Sequence, residues 1–118
     1  MQFFAIISAA AALMASANAA FIPRNIHVAD FRVYSGDDCF TGNLGVWTVI
    51  DDDFTNGQCK SLNADYKSLS LTDINKGCTF TAYESDDCKT GATVLTVAQC
   101  SKATDQFKAW SITCGYKQ

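Results

Sequence analysis

Phe31-Arg32-Val33-Tyr34-Ser35-Gly36-Asp37-Asp38-Cys39-Phe40-Thr41-Gly42 returns 49 positions later as Phe80-Thr81-Ala82-Tyr83-Glu84-Ser85-Asp86-Asp87-Cys88-Lys89-Thr90-Gly91. The leading Phe, the Tyr, the Asp-Asp-Cys triplet, the Thr and the Gly all keep their places. Val46-Trp47-Thr48-Val49 is then answered by Val94-Leu95-Thr96-Val97, and the run Tyr66 to Thr72 by Phe107 to Thr113. Three blocks in one order predict two tandem copies of a single motif, about 31–73 and about 80–117. The offset falls from 48 to 41 between the second and third blocks, which places a seven-residue insertion in the first copy. It lies around Asp51, Asp52, Asp53, Phe54, Thr55, Asn56 and Gly57. A polar run ending in Asn-Gly suits a turn or hairpin tip, because both residues tolerate positive φ. This predicts an exposed loop that is free to vary.

Within each copy the periodicity is that of strands. Phe31 and Val33, like Phe80 and Ala82, alternate with polar neighbours, and Val46, Thr48 and Ile50 alternate against Trp47 and Val49. β-branched and aromatic residues dominate these runs, and Gly, Asp, Asn and Ser interrupt them at short intervals. Helical periodicity is confined to a single turn's worth around 103–109. About four short strands per copy predict an all-β fold, a two-sheet sandwich made from two repeats.

The repeat also suggests how the cysteines pair. Cys39 is equivalent to Cys88, and Cys59 to Cys100. One clip per copy would join Cys39 to Cys59 and Cys88 to Cys100. That leaves Cys78 with Cys114, just before the first strand of the second copy and just after its last. Six cysteines allow fifteen pairings, and symmetry favours this one. Each bridge would stabilise a domain of this size by roughly 2–4 kcal/mol.

The compartment is read from the first 19 residues, which carry no charge and end in Ala15-Ser16-Ala17-Asn18-Ala19. An apolar run followed by an Ala-x-Ala site predicts a secretory signal peptide over 1–19. An N-terminal arm over 20–30 and a single domain over 31–118 would follow. An even cysteine count behind such a leader reads as disulfides formed in an oxidising compartment. The apolar run is too short to span a bilayer comfortably. A net charge of −3, with basic residues scattered singly, argues against nucleic acid as a partner.

Tyr34, Gly42 and Ser70 in the first copy, and Tyr83, Gly91 and Ser111 in the second, resemble the Greek-key unit of the βγ-crystallin superfamily. The resemblance runs from about Phe31 to Cys114 and implies a Greek-key β-sandwich. In that family the Gly permits a folded hairpin, the aromatic packs on it, and the Ser ties it down. The family's calcium signature would fall on Asp65 to Ser70 and Gln106 to Ser111. Of its acidic and hydroxyl ligands only Asp65 is present, Leu69 and Trp110 standing where a hydroxyl is needed. In size, leader and cysteines the chain is also similar to small cysteine-rich proteins that fungi secrete, which include effectors, killer toxins and antifungal proteins.

No nucleophile has an evident base. His27 is the single histidine, and every cysteine has a prospective partner. Adjacent Asp residues are ordinarily turn formers, although Asp37, Asp38, Asp86 and Asp87 are the residues that calcium would recruit if it bound. Trp47 and Trp110 sit in alternating strands, where packing is the commoner role and stacking on sugars the alternative. The expectation is a secreted, extracellular, monomeric and non-enzymatic interaction protein. It would act on an extracellular protein or a cell-surface or cell-wall component through loops on a disulfide-stapled frame, Asp51 to Gly57 foremost. The alternatives are a calcium-binding or protease-inhibitor-like module of the cell surface and a small hydrolase.

Overall fold

A computed structural model describes residues 26–117. The expected signal peptide and the first part of the expected arm lie outside the described residues. Six strands follow in order: β1 (His27–Tyr34), β2 (Asn43–Ile50), β3 (Lys60–Ile74), β4 (Cys78–Tyr83), β5 (Thr93–Val94) and β6 (Cys100–Cys114), with one 3₁₀ turn at Asp51–Asp53. All pairings are antiparallel and the sheet order is β2-β1-β3-β6-β4-β5. Residues 27–74 thus build one half as β2-β1-β3, residues 78–114 build the other as β6-β4-β5, and the halves meet along β3 and β6.

The chain is all-β, and its hydrogen bonds join every strand into one sheet rather than two. The reason is the length of β3 and β6, each 15 residues. Each spans what the sequence pattern reads as two short strands, so each half contributes three strands instead of four. They pair in three stretches, Ser68–Ser70 with Cys100–Lys102, Tyr66 with Phe107, and Lys60–Ser61 with Ala109–Trp110, with a break in register between each. Asn63, at φ 61°, marks the break between Ser61 and Tyr66. The segment read as a possible helical turn, 103–109, lies inside β6.

Across a flat sheet β1 and β4 would stand three strand spacings apart, about 14 Å. The rings of Phe31 on β1 and Phe80 on β4 are nevertheless 4.8 Å apart. The sheet therefore folds over on itself and brings its two halves face to face around these rings. Phe31, Phe80, Phe107, Leu69 and Ile112 are fully buried there, each such side chain contributing roughly 1.5–3 kcal/mol by leaving water.

β1 begins four residues before the expected start of the domain. His27, Ala29 and Asp30 pair with β2, and Ala29 and Asp30 pair with β3 as well. Val28 and Ala29 are both fully buried. Consecutive buried residues break strict alternation, and a shift of register between His27 and Ala29 accommodates them.

The disulfides correct the pairing expected from symmetry. Cys78–Cys114 forms as read, across the register pair that joins β4 to β6. The other two cross between halves, as Cys39–Cys100 and Cys59–Cys88. Each Asp-Asp-Cys hairpin folds over the third strand of its own half: Cys39 Sγ lies 3.4 Å from the Leu69 carbonyl and Cys88 Sγ 3.9 Å from that of Trp110. The β3–β6 pairing then sets Cys100 opposite Ser70, and Lys60 opposite Trp110. The cysteine within reach of each hairpin is thus the one that opens the other half's long strand. The in-copy pairing and the crossed one both treat equivalent cysteines alike, and strand adjacency selects the crossed one.

Candidate functional site

The 51–57 segment is not the free loop that its composition predicts. Asp53 closes the 3₁₀ turn by accepting the Ile50 N–H at 2.9 Å. Phe54 is 3% exposed and meets Trp110 edge-on, ring centroids 6.3 Å apart. Lys117 Nζ stands 5.0 Å over the Phe54 ring, donates to the Asp51 carbonyl at 2.8 Å and lies 3.2 Å from the Asp51 carboxylate. Asn56 Oδ1 accepts the Cys114 N–H at 2.8 Å, and its amide group donates to the carbonyls of Cys114 and Lys117. Gly57 N–H reaches the Ile112 carbonyl at 3.0 Å, as Ala98 N–H reaches that of Leu71 at the same distance. A polar composition hid one core side chain and one amide that caps the end of β6. Asp52, Asp53 and Thr55 are the segment's exposed side chains.

The acidic pairs serve their own turns. Asp38 accepts the N–H groups of Phe40 and Thr41 at 3.0 and 2.8 Å and the Thr41 hydroxyl at 2.9 Å. The Thr41 backbone and side chain, with Phe40, hold its carboxyl below the usual carboxylate value. Asp87 is lowered likewise, chiefly by the Ser85 hydroxyl and then by the Lys89 N–H. Asp37 lies 3.8 Å from Lys102 Nζ. Among the described residues, Asp37, Asp38, Asp86 and Asp87 do not converge with other acidic, His or Cys side chains into a group of three.

Gly42 and Gly91 adopt φ of +71° and +64°, and a Cβ there would stand 1.8 Å from Ser35 Oγ and 2.6 Å from Glu84 Cβ. Both hairpins therefore need glycine. The hydroxyl that ties down the first is not Ser70. Fully buried Ser68 accepts the Cys39 N–H at 3.1 Å and donates to the Gly36 carbonyl at 2.6 Å. Its counterpart, Ala109, has no hydroxyl. Ser111 instead lies 3.1 Å from the Tyr83 hydroxyl, and Ser85 accepts the Lys89 and Thr90 N–H groups of the second hairpin.

A cleft of about 320 Å³ opens where β3 bends. Trp47, Thr48 and Val49 of β2, Lys60, Ser61 and Asn63 of β3, Trp110 of β6 and Asp53 line it. Asn63 turns there in the left-handed region, its N–H donating to Ser61 Oγ at 2.9 Å, where the β3–β6 register is interrupted between Ser61 and Tyr66. Trp47 is half-buried, with its ring 5.5 Å from Phe31. Trp110 is stacked on Phe80 at 5.8 Å, and its buried indole N–H has no hydrogen-bond partner among the described residues. The floor is therefore aromatic, and the rim carries one acid, one base and one amide. Both tryptophans and Asp53 were legible as candidates. Lys60, Ser61 and Asn63 were not, because their only signal is an Asn within a strand-like run.

His27 is not an isolated arm residue. It opens β1 with its side chain 39% exposed, its Nε2 2.9 Å from Asp30 Oδ2 and its Nδ1 4.0 Å from Asp73 Oδ2. Asp30 Oδ1 accepts the Thr48 hydroxyl at 2.7 Å. That bond, with a smaller contribution from His27 and against the effect of burial, holds the Asp30 carboxyl below its usual value. All six cysteines are in disulfides, and no helix among the described residues is long and apolar enough to cross a membrane. No protein-family model, curated protein or solved structure matches the chain.

Proposed function

We propose that the chain is a secreted, non-enzymatic binding protein that engages a cell-surface or cell-wall component through the Trp47–Asn63 cleft. One observation carries the reading. The insertion that distinguishes the first half is fastened at both ends, through Lys117 on Asp51 and Asn56 on Cys114, yet it presents Asp53 to a recess with a half-buried tryptophan. A recess built on a strand kink and a fastened turn is preformed, so a ligand binding there orders little and loses little affinity to ordering. The uncharged first 19 residues, the paired cysteines and the acidic net charge support an extracellular setting. In the same reading the chain is a monomeric two-motif protein of βγ-crystallin-like build. The recurrent Asp-Asp-Cys hairpins and their two glycines at positive φ support that likeness.

Fluorescently labelled protein starting at Ala20 should bind isolated fungal, bacterial or plant cell walls, or intact cells, in a saturable way. Trp47→Ala with Lys60→Ala should abolish that binding; Trp47 also packs on Phe31, so circular dichroism checks that the variant folds. A folded double variant that binds as well as the parent refutes the cleft as the site.

A further inference from the structure

We infer that His27, Asp30 and Asp73 form a binding site for a divalent transition-metal ion, zinc foremost. The β1–β3 register sets Asp30 directly opposite Asp73. Two like charges at a cross-strand pair repel unless a cation lies between them. Residues three apart on a regular strand point to opposite faces. The register shift between His27 and Ala29 removes that opposition and turns the imidazole onto the face of Asp30. Another shift, between Asp30 and Phe31, adjoins the site on the β3 side. The ligand atoms of the three side chains all lie within 4.8 Å of one another.

Of the two carboxylates, only that of Asp30 is within hydrogen-bond distance of the imidazole. Nε2 faces Asp30 at 2.9 Å and Nδ1 faces Asp73 at 4.0 Å. A neutral imidazole carries one N–H, so it serves one carboxylate and turns a lone pair toward the other. A metal ion held by one ring nitrogen and by both carboxylates gives each of the three side chains a partner and offsets the two negative charges. Asp73, 63% exposed, has the rotamer freedom to close the third contact. Thr48 holds the far oxygen of Asp30 at 2.7 Å, the kind of outer hydrogen bond that orients a ligating carboxylate. One imidazole with two carboxylates suits zinc or its first-row neighbours, whereas calcium and magnesium prefer an all-oxygen set. The metal site and the cleft share Thr48, whose hydroxyl is turned to Asp30, but none of the three ligands lines the cleft.

Because the chain has one histidine, its ring protons report the site without ambiguity. Protein starting at Ala20, at neutral pH in a non-chelating buffer, is titrated with zinc chloride by calorimetry and by proton NMR. One zinc per chain should bind, with both His27 ring signals shifting in step, and calcium chloride at the same concentration should leave them in place. His27→Gln should abolish binding, Asp73→Asn should weaken it at least tenfold, and Thr48→Val should weaken it by about 10–100-fold. Circular dichroism of each metal-free variant checks that it folds. Absence of zinc binding at millimolar concentration, binding that survives His27→Gln, or an equal response to calcium would each overturn the inference.

Discussion

Removing the Cys39–Cys100 bridge tests the crossed connectivity most directly. The bridge spans 61 residues of chain. In the chain-entropy description, closing a loop of that length lowers the entropy of the unfolded state enough to stabilise the fold by about 4 kcal/mol. Cys59–Cys88, spanning 29 residues, contributes slightly less, about 3.6 kcal/mol by the same relation. Neither bridge is buried in the core: Cys100 and Cys59 are exposed, and Cys39 and Cys88 half-buried. Replacing both partners by Ser therefore opens no large cavity, and the loss is carried by the unfolded chain. For a domain of this size, 1 kcal/mol corresponds to roughly 4–8 °C in melting temperature. Cys39→Ser with Cys100→Ser should lower Tm by roughly 15–30 °C in scanning calorimetry, and Cys59→Ser with Cys88→Ser by a slightly smaller amount. In each variant, non-reducing peptide mapping should find the other two bridges unchanged. A parent map showing Cys39–Cys59 and Cys88–Cys100, or a Tm that moves by less than about 5 °C with the remaining bridges in place, would refute the reasoning.

Phe54→Ala should cost about 3–5 kcal/mol in urea unfolding, since it empties a core position against Trp110; for the same reason, deleting 51–57 should give no folded product. Ser68→Ala should cost about 1–3 kcal/mol by orphaning the Cys39 N–H and Gly36 carbonyl, whereas Ser70→Ala should stay within about 0.5 kcal/mol. Gly42→Val and Gly91→Val should each reduce secretion and Tm, because a β-branched residue resists positive φ and its Cβ would meet the facing hairpin side chain. Asp30, Asp38 and Asp87 all titrate below 3.8 in the folded chain. The folded state thus holds fewer protons than the unfolded one in that range. Their stabilisation should be complete above about pH 5 and fall away as pH drops through 3.8 toward the folded values. Asp38→Asn should flatten this acid limb in a Tm-against-pH series.

Period-two alternation around Phe31, Trp47 and Phe80 was enough to establish strands, and with them an all-β chain, because alternation is a local property of a pleated backbone. Asp-Asp-Cys and Gly recur at fixed spacing, and Gly42 and Gly91 do adopt positive φ, the unusual backbone that the crystallin resemblance implied for them. Cys78 with Cys114 was legible because both flank strands adjacent in the motif. What remained hidden was everything set by which strand lies beside which. Both the in-copy and the crossed disulfide patterns treat equivalent cysteines alike, and only the antiparallel meeting of β3 with β6 puts Cys100 under the first hairpin and Cys59 under the second. Phe54 and Asn56 sit in a run as polar as any loop, yet one fills the core beside Trp110 and the other caps Cys114, 58 positions away. Asp30 and Asp73 become neighbours through a register that neither side chain encodes. Backbone periodicity is written residue by residue along the chain. Long-range adjacency is settled only when the sheet closes, because it depends on the summed burial of the whole core.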